Sequence, residues 1–138
     1  MLDLSQNKIK EMVDLQQPRL TRLLLSENEL SSFANFSGHN NIVYLELKKN
    51  KLKSCENISK MARLQELYLN ENEITSLSDL IGLPALRVLS VNTNKLESLN
   101  NLPTLPSLEK FDLGGNPIEK LAEVKKLSGL HCLKHVIF

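Results

Sequence analysis

The sequence has no tryptophan, and its rings are confined to four Phe and two Tyr in 138 residues. A globular core of this size usually relies on more large rings. Their scarcity excludes little by itself, but it points to a core assembled from aliphatic side chains. Charge of one sign is also lacking. Lys and Arg number 17 against 16 Asp and Glu, a net charge of +1. No global field recruits nucleic acid or anionic lipid. No apolar run approaches the ~18 residues that read as a membrane span, and the N-terminus MLDLSQNKIK lacks the apolar centre of a signal peptide. Cysteine is down to two, Cys55 and Cys132. Glycine is down to five, with no phosphate-cradling loop among them. Against these shortages, 41% of the residues are hydrophobic and 24% charged, the balance of a soluble, folded single domain.

What is abundant is leucine, and it recurs with asparagine. Asn7, Asn28, Asn50, Asn72, Asn94 and Asn116 lie 21, 22, 22, 22 and 22 residues apart. Each closes the pattern L-x-x-L-x-L-x-x-N-x-L. The copies read LTRLLLSENEL from Leu20, IVYLELKKNKL from Ile42, LQELYLNENEI from Leu64, LRVLSVNTNKL from Leu86 and LEKFDLGGNPI from Leu108. A first copy, MLDLSQNKI, enters in mid-pattern. Self-similarity at such a period is the signature of a stacked repeat. Each L-x-L is expected to be a short strand, leucines inward and x residues outward. The Asn turns the chain, and its amide can satisfy backbone groups of neighbouring turns.

Between the strands the apolar residues recur every third position: Leu77, Leu80 and Leu83, then Leu99, Leu102 and Leu105. That period suits 3₁₀ turns. Pro18, Pro84 and Pro106 share one column and steer the chain into the next strand. All four Phe (Phe33, Phe36, Phe111, Phe138) fall in expected core columns. Cys55 takes the column held by Leu77 and Leu99 and reads as a small hydrophobe. The frame puts Cys55 and Cys132 about four repeats apart, near ~19 Å at ~4.8 Å per strand, beyond disulfide reach. Free thiols and the missing leader favour a reducing, cytoplasmic setting.

The chain resembles leucine-rich-repeat proteins along its whole length, and in repeat length the 22-residue subclass that includes protein phosphatase 1 regulators. The resemblance implies an α/β solenoid of about six to seven repeats. A parallel concave sheet would be backed by 3₁₀ and short helical segments, in one domain over 1–138. It implies a non-catalytic protein-binding scaffold with no cofactor. The last unit is stretched by three residues. Within it IEKLAEVKKL is expected to form a short true helix ended by Ser128-Gly129, and Leu133, Val136 and Phe138 to start another strand. Neither end carries a polar cap, so the chain is expected to be a segment of a longer protein or to be covered by neighbours.

Several charged groups invite other readings. The run Lys48-Lys49-Asn50-Lys51 could be a nucleic-acid patch. However, signs alternate between repeats, as Lys8, Glu29, Lys51, Glu73, Lys95 after the Asn and Glu27, Lys49, Glu71 before it. Stacked about 5 Å apart, these read as a ladder that fixes repeat order, and nucleic-acid binding is not expected. His131 and His135 have a helical metal spacing, but the L-x-x-V-x-F context makes a strand and offers no third ligand. No nucleophile motif is present, so no catalytic, cofactor or metal site is expected.

Three outward columns on the sheet have no core duty. They hold Arg22, Tyr44, Glu66, Val88 and Lys110; then Asp3, Leu24, Glu46, Tyr68, Ser90 and Asp112; then Ser5, Ser26, Lys48, Asn70, Asn92 and Gly114. Leu24, Tyr44, Tyr68 and Val88 form an apolar stripe flanked by Arg22, Glu46, Lys48, Glu66 and Arg87, with Asn70 and Asn92 beside it. An aromatic centre with a charged rim is the anatomy of a protein interface. The competing reading is that outward Tyr simply suit strands.

Pro18-Arg19-Leu20 closing a 21-residue first repeat, the regular middle, and the stretched unit GNPIEKLAEVKKLSGLHCLKHVIF resemble the leucine-rich-repeat family of axonemal radial spokes. That resemblance implies a building block of the ciliary axoneme, docked through its concave face and ends within a larger complex. Two alternatives remain open: a regulator gripping a phosphatase catalytic subunit, and a nuclear or spliceosomal scaffold.

Overall fold

A computed structural model describes residues 1–138. Seven short strands run in chain order across one parallel sheet: β1 (Leu2–Asp3), β2 (Arg22–Leu24), β3 (Tyr44–Glu46), β4 (Glu66–Tyr68), β5 (Val88–Ser90), β6 (Lys110–Asp112) and β7 (His135–Ile137). The expected frame is the observed register. Leu23, Leu45, Leu67, Leu89, Phe111 and Val136 stand in one row, and Arg22, Tyr44, Glu66, Val88, Lys110 and His135 in the next. Apart from Val136, which stays 38% exposed, the inward row joins the turn residues in one core of 32 buried side chains, including Cys55. Fully burying each Leu contributes roughly 1.5–3 kcal/mol, which explains how a chain poor in rings holds together.

The asparagines act as expected, through a shared ladder. Asn72 donates from Nδ2 to the carbonyls of Leu47 (2.9 Å) and Leu69 (3.0 Å), while its Oδ1 accepts from the Leu52 N–H (3.0 Å). Asn50 and Asn94 repeat the scheme one turn to either side, so Leu47 O serves Asn50 and Asn72, and Leu69 O serves Asn72 and Asn94. The residue before each Asn is left-handed: Gln6, Glu27, Lys49, Glu71 and Thr93 have φ between 52° and 57°, and Gly115 has 68°. Only the last of these positions carries the residue that adopts this geometry without steric cost.

The back is built from single i to i+3 turns, such as Phe36 N–H to Phe33 O and Leu80 N–H to Leu77 O, with a 3₁₀ segment at Ile58–Lys60. Gly38 (φ 118°) passes so close to Lys60 that a Cβ would meet its carbonyl oxygen at 2.8 Å. The stretched unit departs from expectation. Leu121–Gly129 is 3₁₀ throughout, not α-helical. The tighter winding keeps Leu127 and Leu130 in line toward the core, and an α-helix would rotate them apart. Glu123, almost fully buried, pins this segment down. Its carboxylate accepts from the Leu99 N–H at 2.7 Å and from Lys126.

One other expectation needs correction. Phe138 is 49% exposed, because no strand lies beyond β7 to cover the column that buries Leu113. Ser26 and Ser90, placed on outward columns, are buried on the sheet surface beneath longer neighbours. Ser26 donates to Glu46 (2.9 Å) and Ser90 to Asp112 (3.0 Å).

Candidate protein-binding face

The outward columns of β2 to β4 converge on a compact arrangement. Tyr44 and Glu46 lie on β3, Glu66 and Tyr68 on β4, and register sets Tyr44 beside Glu66 and Glu46 beside Tyr68. Each phenol donates to the carboxylate on its own strand, Tyr44 to Glu46 at 2.7 Å and Tyr68 to Glu66 at 2.8 Å. The two rings sit side by side, with centroids 5.4 Å apart and planes tilted by 43°. The Arg22 guanidinium sits 3.9 Å above the Tyr44 ring, and the Lys48 ammonium 5.0 Å from that of Tyr68. Such cation–π contacts contribute about 0.5–1 kcal/mol at exposed sites. The result is a platform of two rings, each tied by its hydroxyl to a carboxylate of its own strand.

Its electrostatics follow from that packing. Partial burial, reinforced by the bond to Glu46, raises the Tyr44 phenol well above its ordinary value. Burial and the bond to Glu66 push Tyr68 up to about 12. For Glu46, burial works against the charge, but the Tyr44 and Ser26 hydroxyls and the Lys48 ammonium outweigh it and hold the carboxyl below the usual range. The platform therefore combines neutral phenols with a charged Glu46 at neutral pH.

Of the expected site residues, Arg22, Tyr44, Glu46, Lys48, Glu66 and Tyr68 are brought together here. Leu24 and Val88 flank the platform on β2 and β5. Asn70 and Asn92 belong to a second network. Asn70 Nδ2 donates to Ser90 Oγ at 2.8 Å, and Ser90 and Asn92 both donate to Asp112 at 3.0 Å. Arg87 lies apart, on the flank of the sheet. There it shares the Glu109 carboxylate with Lys134, at 2.8 Å and 2.9 Å. The Lys48-Lys49-Lys51 run is matched by carboxylates: Lys48 by Glu46, Lys49 by Glu27, Lys51 by Glu29.

Frame reasoning missed His135 and Ile137. The stretched last unit hid their columns, although L-x-x-V-x-F carried the signal. They complete a shallow hollow over β5 to β7, bounded by Tyr68 and Ile137.

The architecture is that of a leucine-rich-repeat solenoid. A family model described as leucine-rich repeats in two copies matches residues 62–104. No curated protein matches the chain. Among solved structures, an internalin from Listeria monocytogenes superposes with a TM-score of 0.71 at 22% identity, over 95% of this chain and 39% of that one. A leucine-rich-repeat protein from Leptospira interrogans superposes with a TM-score of 0.58 at 26% identity, over 88% of this chain and 38% of that one. The chain thus spans about two fifths of each. Leucine-rich-repeat domains serve protein–protein interaction, and no helix here is long and apolar enough to cross a membrane.

Proposed function

We propose that the protein is a non-catalytic scaffold that binds another protein through the open, concave face of its sheet. The observation that carries this reading is the tyrosine platform. Two rings tied by Glu46 and Glu66 and contacted by Arg22 and Lys48 have no role in the core. They offer apolar area that needs no ordering on binding, and Tyr and Arg dominate interface energetics. Truncating both Tyr44 and Tyr68 to Ala weakens a sheet-face partner by about 2 kcal/mol or more. An unchanged affinity with the fold intact refutes the reading.

The assembly we propose is the ciliary axoneme, within a complex of the radial-spoke type. The repeat lengths and stretched last unit support that choice. The exposed apolar side chains of Val136, Ile137 and Phe138 support coverage of that end by further chain or by neighbours. The tagged parent protein in a ciliated cell is expected to give a periodic axonemal signal. A nuclear signal refutes this placement in favour of the splicing scaffold, and a diffuse cytosolic one refutes it in favour of the phosphatase regulator.

A further inference from the structure

The sheet face divides into two unlike halves. Over β2 to β4 the platform fills it. Over β5 to β7 Val88 and Ser90 are short, Asp112 is tied down by its hydrogen bonds, and a hollow of about 440 Å³ opens. Its floor is Val88 and Ser90, its walls are the Tyr68 ring and Ile137, and Lys110, Asp112 and His135 stand around it. Ile137 is 59% exposed, an apolar side chain open to a partner.

The two charged groups of this hollow, Lys110 and Asp112, are held differently. Asp112 is fully engaged, with Oδ2 accepting from Ser90 and Asn92 and Oδ1 from the Gly114 N–H. Glu109 has one oxygen on Arg87 and the other on Lys134. Glu66 is held by the Tyr68 hydroxyl. Lys110 forms none of the chain's seven salt bridges. It is the exposed cation of the hollow, and register sets His135 beside it. A carboxylate arriving over the second column would meet Asp112. One arriving over the first column would meet Lys110.

From this we infer that the hollow receives one large apolar side chain of a partner protein, with an Asp or Glu of the same segment seated on Lys110. The inference rests on the scaffold reading and names the partner's chemistry. The Tyr68–Ile137 gap selects the apolar residue, and the asymmetry of Lys110 against Asp112 fixes which side its acidic neighbour occupies. Attraction to Lys110 and repulsion by Asp112 together give direction as well as affinity.

The test is a random-peptide phage library panned on the whole chain, followed by titration of the enriched peptides into isotope-labelled protein. The expected peptides carry Asp or Glu within two residues of Leu, Ile, Phe or Trp, and shift the amides of Val88, Lys110 and Ile137. Lys110→Glu, an exposed change that leaves the circular dichroism spectrum unaltered, weakens them by about ten-fold or more, and peptides with Lys in place of the acidic residue recover binding to that variant. Peptides that shift Leu24 and Tyr44 and ignore Lys110→Glu overturn the inference while leaving the scaffold reading intact. Peptides that map to Ile81 and Leu121 on the back overturn both. A library that yields no enrichment overturns the inference, and the scaffold reading is then decided by Tyr44→Ala/Tyr68→Ala against a protein partner.

Discussion

Replacing Asn72 by Ala should be among the most damaging single changes in the chain, and the structure says why. The side chain makes bonds of two kinds. Its Nδ2 donates to Leu47 O and Leu69 O, but those carbonyls keep Asn50 and Asn94 as donors after the substitution. Losing these shared bonds costs about 0.5–1 kcal/mol each. Its Oδ1 is the acceptor for the Leu52 N–H, a buried donor for which the structure offers no second partner. Orphaning it costs a further ~1–3 kcal/mol. The sum is roughly 3 kcal/mol, a large share of the ~5–15 kcal/mol that holds a domain together. The break also falls in the middle of an array stabilised by nearest-neighbour contacts. Asn7 is the internal control, because its bonds to Leu4 O and Ser5 O are exposed. Asn7→Ala should cost under ~1 kcal/mol. Urea unfolding followed by circular dichroism measures both, with Asn72→Ala showing the lower midpoint or an early, separate transition of one half. Equal midpoints for the two variants, or an Asn72→Ala loss below about 1 kcal/mol, would refute the ladder as the basis of repeat stacking.

Other expectations bear on separate parts of the molecule. Burial, with the Asp79 charge adding to it, pushes the Cys55 thiol up to about 12, while Cys132 is exposed. A thiol reagent at mildly alkaline pH should therefore count one reactive cysteine in the folded chain and two in denaturant. With no Trp to mask it, tyrosinate absorbance reports the platform directly. Both phenols should titrate above the ordinary 10.0 in the folded protein. The raised phenols stabilise the fold fully below that value, and the contribution is lost as pH rises through their folded values. The depressed Glu46 has the opposite sense, contributing above the ordinary carboxylate range and losing it as pH falls through its lowered value. Normal phenol titration in the folded state would contradict the Tyr–Glu bonds. In the charge ladder, Lys51→Glu should lower the melting temperature at low salt, and adding Glu29→Lys should restore it, since the two groups pair at 3.1 Å. Absence of rescue would count against pairing between repeats.

Most of the fold could be read from spacing, because a 22-residue period leaves little freedom. Once Asn28, Asn50 and Asn72 are aligned, Leu45 must face in and Tyr44 must face out, and the register follows. The core place of Cys55 came from the same column logic. What spacing does not carry is length of reach across columns. Ser26 and Ser90 occupy outward positions yet are buried, because Glu46 and Asp112 fold over them to accept their hydroxyls. The tethering of the tyrosines is likewise a property of pairs, set by Glu46 and Glu66, and no single column announces it. At the last turn the inserted residues blurred the period. An α-helix was therefore expected where a 3₁₀ run formed, and Phe138 was assigned a burial that only a further strand could supply. The hollow beside Lys110 was hidden for the same reason.

The central claim is that the sheet face, and not the back, meets the partner. It is tested most directly by placing a photo-crosslinking amino acid at Val88, in the hollow beside the platform, and in a second variant at Ile81, which is 69% exposed on the back. Both variants are irradiated in cells that make the protein. A discrete covalent adduct from position 88 with none from position 81 is the predicted result. Adducts from position 81 alone would contradict the account and move the interface to the back.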